Sequence, residues 1–149
     1  MESVVSATQA ARKRWEHFYH QADIGVRGIG TSKEEAFEQG ATALTAVITD
    51  VNSLDPENLV DVFCEAPDDE LLFVDWLNSI VYEMAIRKML FCRFEVHIED
   101  GRLRGHLWGQ SIDVAKHQPA IEIKGATYTE LLVECDAEGA WIAQCVVDV

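Results

Sequence analysis

The chain has little positive charge. Twelve lysines and arginines stand against 26 aspartates and glutamates, which gives a formal net charge of -14 at pH 7. An acidic surface of this kind repels phosphate backbones and lacks the cations that supply most non-specific affinity for nucleic acid. We therefore expect no direct nucleic-acid binding, and we expect a basic protein or a metal ion as the partner.

Long apolar runs and paired cysteines are missing as well. No run approaches the roughly 20 apolar residues of a membrane-spanning helix, and Val4-Val5 is too short for the apolar core of a signal peptide. The four cysteines form no C-x-x-C pair and have no short-spaced histidines beside them, so the usual zinc signatures are absent. These absences predict a cytoplasmic protein without a membrane segment, whose thiols are reduced and mostly buried.

What is present indicates one domain. With 149 residues, of which 48% are hydrophobic, the chain can build a single core and has little room for a second one. The apolar residues among residues 1–14 have no helical or strand periodicity, and the segment ends in Arg12-Lys13-Arg14. Both features are typical of a flexible, solvated tail. We therefore predict a tail over residues 1–14 and one domain over residues 15–149.

Two segments have the pattern of helices. Thr31-Ser32 can cap the first, Glu34-Glu35 follows as in a capping box, and apolar residues then recur on one face as far as Ile48. Pro67-Asp68-Asp69 turns the chain and caps the second, which we place at roughly residues 70–89. This second segment is apolar around much of its circumference, as expected of the buried centre of a small domain.

The other periodic segments alternate as strands do. Residues 92–98 and 103–107 flank Asp100-Gly101, a typical hairpin turn, and shorter alternating runs cover residues 15–19, 24–30, 60–65 and 121–124. Two longer strands are predicted over residues 126–135 and 141–149. The pattern predicts an α+β two-layer domain, in which a mainly antiparallel sheet of about six strands packs with two helices.

Three residues are candidate metal ligands. Asp23 stands just before Gly25 at an expected bend of the backbone, while Asp148 and the main-chain oxygens of Val149 lie at the far end of the sequence. Hard cations such as Ca²⁺ and Mg²⁺ prefer these oxygen ligands, which converge if the first and last strands are neighbours. The alternative is that both aspartates are ordinary surface residues, and the residue pattern alone favours that alternative.

The remaining polar candidates are weaker. Glu122 and Lys124 lie two apart in an expected strand and project from one face, which usually means a solvated surface. His17 and His20 would lie on opposite faces of a strand, so they do not predict a zinc site. No serine, histidine and acid arrangement or nucleophile elbow is visible, so nucleophilic catalysis is not expected.

Five motifs, taken in order along residues 15–149, resemble the archease family. They are HQADIG at 20–25, TSKEEAF at 31–37, LLFVDWLN at 71–78, EIKGATY at 122–128 and VDV at 147–149. The sequence departs from the usual family pattern at Gln21, Gly125 and Thr129. These departures are mild, although Thr129 removes a frequent histidine.

The resemblance implies an archease fold and a non-catalytic accessory protein of the RtcB-type RNA ligase. Such a protein promotes guanylylation of the ligase and multiple turnover in tRNA splicing or RNA repair, and it carries a divalent metal, with calcium favoured. Residue by residue, the resemblance places metal ligands at Asp23, Asp148 and Val149, with functional roles at His20, Glu122 and Lys124. Two alternatives stay open, a stand-alone metal-dependent hydrolase that uses His20 as a base, and a plain acidic interaction module.

Overall fold

The helices begin where side chains can satisfy their first amide groups. In the computed structural model, which describes residues 13–149, α1 spans Lys33–Ile48, and the Ser32 hydroxyl accepts a hydrogen bond from the Glu35 amide at 3.1 Å. The second helix, α2, spans Asp69–Arg87, and its Asp68 cap accepts from the Leu71 amide at 2.8 Å. Both caps confirm the predicted helix starts, because Ser and Asp at these positions replace the missing helical partners.

Eight strands form two antiparallel sheets in the described residues. The larger sheet has the order β1-β2-β8-β6, with β7 also pairing with β8, and the smaller has the order β3-β5-β4. The strands are β1 (Arg14–His20), β2 (Asp23–Gly30), β3 (Asn58–Glu65), β4 (Met89–Glu99), β5 (Arg102–Ser111), β6 (Gly125–Ala126), β7 (Leu132–Cys135) and β8 (Trp141–Asp148). The α+β class and the antiparallel pairing are confirmed, whereas the single sheet of about six strands is replaced by two sheets.

Both long helices contact both sheets. The first packs on β2 and β8 of the larger sheet and on β4 of the smaller one, and the second contacts strands of each. Trp76, fully buried on α2, donates its indole N–H to the Phe37 carbonyl of α1 at 3.0 Å and packs edge-on against Phe94 of β4. The apolar α2 predicted from the sequence is therefore the centre of a shared core.

Two predicted strands before β8 are wrong in detail. Residues 121–124 form no strand, because the chain leaves Pro119 with the Ala120 amide bonded to the Ile48 carbonyl at the end of α1. The predicted strand over residues 126–135 is divided into β6 and β7 by a turn in which Glu130 has a φ of 53°. A third, short helix, α3 (Val114–His117), interrupts the expected loop after β5.

The cysteines are free, and two of the four are buried. Cys64 and Cys145 lie in the core, Cys92 is half-buried and Cys135 is exposed. Burial raises the pKa of the Cys145 thiol to about 12, so this group stays protonated at neutral pH.

No helix among residues 13–149 is long and apolar enough to cross a membrane. Residues 1–12 of the predicted tail lie outside the described residues, and β1 begins at Arg14.

Candidate functional site

The turn between β1 and β2 places Asp23 at one end of the larger sheet. Gln21 takes a left-handed φ of 56°, and His20 then pairs with Asp23, which opens β2 and is exposed. Gly25 is not part of the bend, contrary to the sequence prediction. It lies inside β2, where a side chain would overlap the ring of Phe18 on β1.

Strand pairing brings Asp23 and Asp148 to the same end of the larger sheet. Strands β2 and β8 pair antiparallel, and the last pair in the ladder is Ile24 with Val147. The ladder stops one residue short of Asp23, which begins β2, and of Asp148, which ends β8. The first and last strands are not neighbours, because β2 lies between β1 and β8, but β2 carries Asp23 and is itself the neighbour of the last strand.

The main chain before β6 joins the same end of the sheet. Gly125 pairs with Asp148 from the other side of β8, and the Lys124 amide donates to the Asp148 carbonyl at 2.7 Å. Lys124 itself is exposed. The main chain on both sides of Asp148 is therefore fixed, which positions Lys124 and Val149 next to the two aspartates.

A histidine and a glutamate border these aspartates. The His20 Nε2 lies 3.6 Å from Glu130 Oε1, while its Nδ1 is buried and has no hydrogen-bond partner among the described residues. Glu130 is held close to β8 because its carbonyl accepts from the Gln144 side chain at 3.0 Å. His20 is therefore the ladder partner of Asp23, and its ring lies against Glu130 with a buried Nδ1 that has no partner within residues 13–149.

Glu122 lies away from this cluster. It lines an apolar pocket of ≈ 230 Å³ between α1, α2 and the segment before β6, with Met84, Ile112 and Ile121. Because residues 121–124 form no strand, the expectation that Glu122 and Lys124 share a strand face is wrong. The Lys124 amide bonds to Asp148, and Glu122 lines the pocket beside the helices.

The donor set suits a hard cation but is incomplete. Within residues 13–149, no group of three or more histidine, cysteine, aspartate or glutamate side chains is arranged to hold a metal ion. Asp23 and Asp148 provide two carboxylates, and Val149 provides main-chain oxygens. Calcium takes about six to eight oxygen ligands, so water or a second protein has to supply the others.

Comparison with known proteins identifies the family of the chain. Residues 15–149 match the model of the Archease protein family (MTH1598/TM1083). The chain belongs to the archease family. The archease of Pyrococcus furiosus is 40% identical over 141 residues, which cover 92% of this chain and 99% of that protein.

Two solved structures share the archease fold. Protein 1598 of Methanobacterium thermoautotrophicum is 26% identical with a TM-score of 0.77, and the match covers 91% of this chain and 98% of that one. An archease of Thermotoga maritima, described as a possible chaperone, is 20% identical with a TM-score of 0.58 over 90% of this chain and 96% of that one. The second likeness shows the fold alone.

Sequence reasoning missed Glu130, which lies outside the five archease motifs singled out above. It follows Thr129, and the Thr129 carbonyl accepts from the Val146 amide of β8 at 2.9 Å, which brings the neighbouring carboxylate to His20. Glu130 is 110 residues away from His20 in the sequence, and no periodicity links the two. Only the pairing of β1, β2 and β8 brings them together.

Proposed function

We propose that this chain is a non-catalytic accessory protein that activates an RtcB-type RNA ligase. It promotes guanylylation of the ligase and sustains multiple turnover. For this it uses a divalent cation, with calcium favoured, that is held at Asp23, Asp148 and Val149. Membership of the archease family supports the general role. The observation that carries the proposal is the pairing of β2 with β8, which leaves Asp23 and Asp148 at the same end of the sheet, both exposed.

The residues at this end of the larger sheet have different roles in the proposal. Asp23 and Asp148 supply negatively charged oxygens, and the turn at Gln21 and the bond from Lys124 fix their backbones. A divalent cation supplies charge stabilisation to phosphate groups during nucleotidyl transfer. The exposed Lys124 ammonium and the His20 ring border the carboxylates, where they can contact the partner protein or its nucleotide.

The net charge supports a protein partner. A chain with a formal charge of -14 is attracted to the basic surface that an RNA ligase needs for its substrate. The incomplete donor set at Asp23 and Asp148 also favours a cation shared between two proteins. The ligase is the partner in this account, and RNA is bound by the ligase alone.

The test measures ligase guanylylation with purified components. The wild-type chain is expected to raise the guanylylation rate and to permit several ligation cycles, and Asp23→Ala and Asp148→Ala are expected to abolish most of this gain. Glu138→Ala is the matched control. It is an exposed carboxylate at the other end of β8, about 20 Å from Asp148 at roughly 3.3 Å per residue.

Two results would contradict the proposal. Full activation by folded Asp23→Ala and Asp148→Ala proteins would remove the role of the aspartates. Hydrolysis of GTP or RNA by the purified chain without ligase would favour the stand-alone enzyme instead. The folded state of each variant is checked by urea unfolding.

A further inference from the structure

Strand β3 is an open edge of the smaller sheet. It pairs with β5 on one side, and among residues 13–149 no strand pairs with it on the other. The Ala66 amide donates to the Gly101 carbonyl at 3.0 Å, so the residues of β3 that bond to β5 are those an even number of positions before Ala66. In antiparallel pairs the bonded residues alternate, so the main-chain groups of Asp61, Phe63 and Glu65 point away from β5.

The outward side of β3 faces a groove rather than bulk solvent. A cleft of ≈ 560 Å³ runs between residues 61–65 of β3 and one face of α2. The residues of α2 that line it recur at the three- and four-residue spacing of a single helical face: Asp75, Asn78, Ser79, Tyr82 and Glu83. A strand edge on one wall and a helix face on the other is the arrangement that accepts an extended peptide as an additional strand.

The groove is acidic. Asp61, Glu65, Asp75 and Glu83 line it, and no lysine or arginine does. Three of these carboxylates have basic partners: Asp61 contacts the His106 ring at 2.5 Å, Glu65 lies 3.7 Å from Arg102, and Glu83 lies 2.6 Å from Arg87. Asp75 has no ion pair among the described residues.

Apolar surface accompanies the acidic groups. Phe63 is 62% exposed on β3, and Tyr82 is 61% exposed on the facing helix. Phe63 shares one face of β3 with Asp61 and Glu65, whereas Tyr82, Asp75 and Glu83 belong to the helix on the other face, where Cys64 contacts Ser79. An added strand places alternate side chains on opposite faces, so it can contact both sets. Exposed ion pairs such as that of Arg102 with Glu65 contribute little, and a competing cation can replace them at small cost.

From these observations we propose that the groove between β3 and α2 binds an extended, basic polypeptide segment by strand addition to β3. Main-chain hydrogen bonds to Asp61, Phe63 and Glu65 hold the segment, and the four carboxylates select for lysine or arginine. This site is distinct from the sheet end that carries Asp23 and Asp148, and the proposal does not depend on the ligase assignment.

A second copy of the chain fits this groove poorly. It would bring the same carboxylates against each other, and both copies carry a formal charge of -14. Like charges placed opposite each other in paired strands are destabilising. The charge of the groove therefore favours a basic segment of another protein over self-pairing.

The test uses three short synthetic peptides of equal length. One alternates lysine and valine, the second replaces lysine with glutamate, and the third is the lysine peptide with alternate amides N-methylated. We expect the lysine peptide to bind at least about tenfold more tightly than either of the others, since one loses the charge match and the other loses main-chain hydrogen bonds. Binding should also slow amide exchange at Asp61, Phe63 and Glu65.

Variants of the protein locate the binding site. Phe63→Pro removes one outward amide without touching the ladder to β5, and Phe63→Ala is its matched control with the amide retained. Asp75→Lys, on the exposed face of α2, is expected to reduce the preference for the lysine peptide and provides a second test if the proline variant does not fold.

Three results would overturn the proposal. Equal binding of the three peptides would show that strand addition and charge do not govern the contact. Unchanged amide exchange along β3 in the bound state would place the peptide elsewhere. Self-association of the wild-type chain in sedimentation, lost in Phe63→Pro, would assign the edge to a second copy.

Discussion

Both sheets form side-chain hydrogen bonds with α1, since His17 of β1 in the larger sheet donates from Nε2 to the Ala43 carbonyl at 2.8 Å, but the larger sheet also makes a direct backbone contact. In the larger sheet, Gly28 of β2 lies against the helix backbone, and a side chain there would overlap the Ala36 carbonyl and the Gly40 amide. In the smaller sheet, side chains make the connection: the Thr45 hydroxyl donates to the Phe91 carbonyl at 2.7 Å, and Glu38 accepts from the Val96 amide at 2.8 Å.

This difference indicates where the protein tolerates amino-acid substitutions. A backbone contact has a fixed spacing, so the larger sheet holds Asp23 and Asp148 on a frame that cannot shift without cost. Side-chain bonds can be exchanged for others of similar length. The smaller sheet is therefore expected to accept substitutions along its contact with α1 more readily, and its β3 edge remains open to a partner.

The largest effect is expected at Gly28. Gly28→Ala places a methyl group against immovable backbone and is expected to cost about 3 kcal/mol or more of unfolding free energy, at the upper end of overpacking effects. Gly105→Ala on β5 is the comparison, because its new methyl group meets the Trp76 and Val62 side chains rather than main-chain atoms. Urea unfolding of both variants measures the difference, and an equal loss would remove the distinction between the sheets.

A smaller loss is expected at Thr45. Thr45→Val deletes the buried hydroxyl that donates to the Phe91 carbonyl beside the irregularity in β4, and it should cost about 1–3 kcal/mol. Thr42→Val, one helical turn earlier, is the control, since the Thr42 hydroxyl only donates to the Glu38 carbonyl of its own helix. A Thr45→Val protein as stable as the control would show that this bond does not attach the smaller sheet.

The smallest effect is expected at Glu38, and it depends on pH. Burial raises the pKa of Glu38 above its ordinary value of 4.5, and the Glu35 and Glu95 charges add to this, against lowering by the Val96 amide and Lys13. A raised pKa means that the stability due to this group is complete below the unfolded pKa and is lost as the pH rises through the folded pKa.

Glu38→Gln keeps an oxygen acceptor for the Val96 amide and cannot ionise. The variant should therefore be more stable than the wild type at pH 7, and this advantage should disappear as the pH falls below 4.5. Urea unfolding across that range measures it. A variant less stable than the wild type at pH 7 would indicate that the charged form of Glu38 strengthens the contact with β4.

The sequence predicts the local features of this fold well. Ser32 and Asp68 cap their helices, and Asp100-Gly101 turns the hairpin, because each of these features depends on neighbouring residues alone. The division into two sheets was not predicted, since alternation marks a strand without naming its partner. The strand expected over residues 121–124 is absent: Ala120, just before it, bonds to the end of α1, and the segment reaches β8 only at the Lys124 amide.

The candidate site was likewise predicted only in part from the sequence. The motifs name Asp23 and Asp148, and only the pairing of β2 with β8 brings the two residues to one end of the sheet. Glu130 carries no signal in the sequence, because its position beside His20 depends on three strands from distant segments. Contacts of this kind depend on tertiary pairing, and local pattern contains no information about them.

The central claim is that Asp23 and Asp148 hold one divalent cation at the end of the larger sheet. Calorimetric titration with calcium tests it most directly, using the wild type, Asp23→Asn, Asp148→Asn and the control Glu138→Gln. The account predicts binding by the wild type and the control, with affinity about tenfold or more weaker in each aspartate variant. Wild-type protein that binds no calcium, or aspartate variants that bind it as tightly as the control, would contradict the claim.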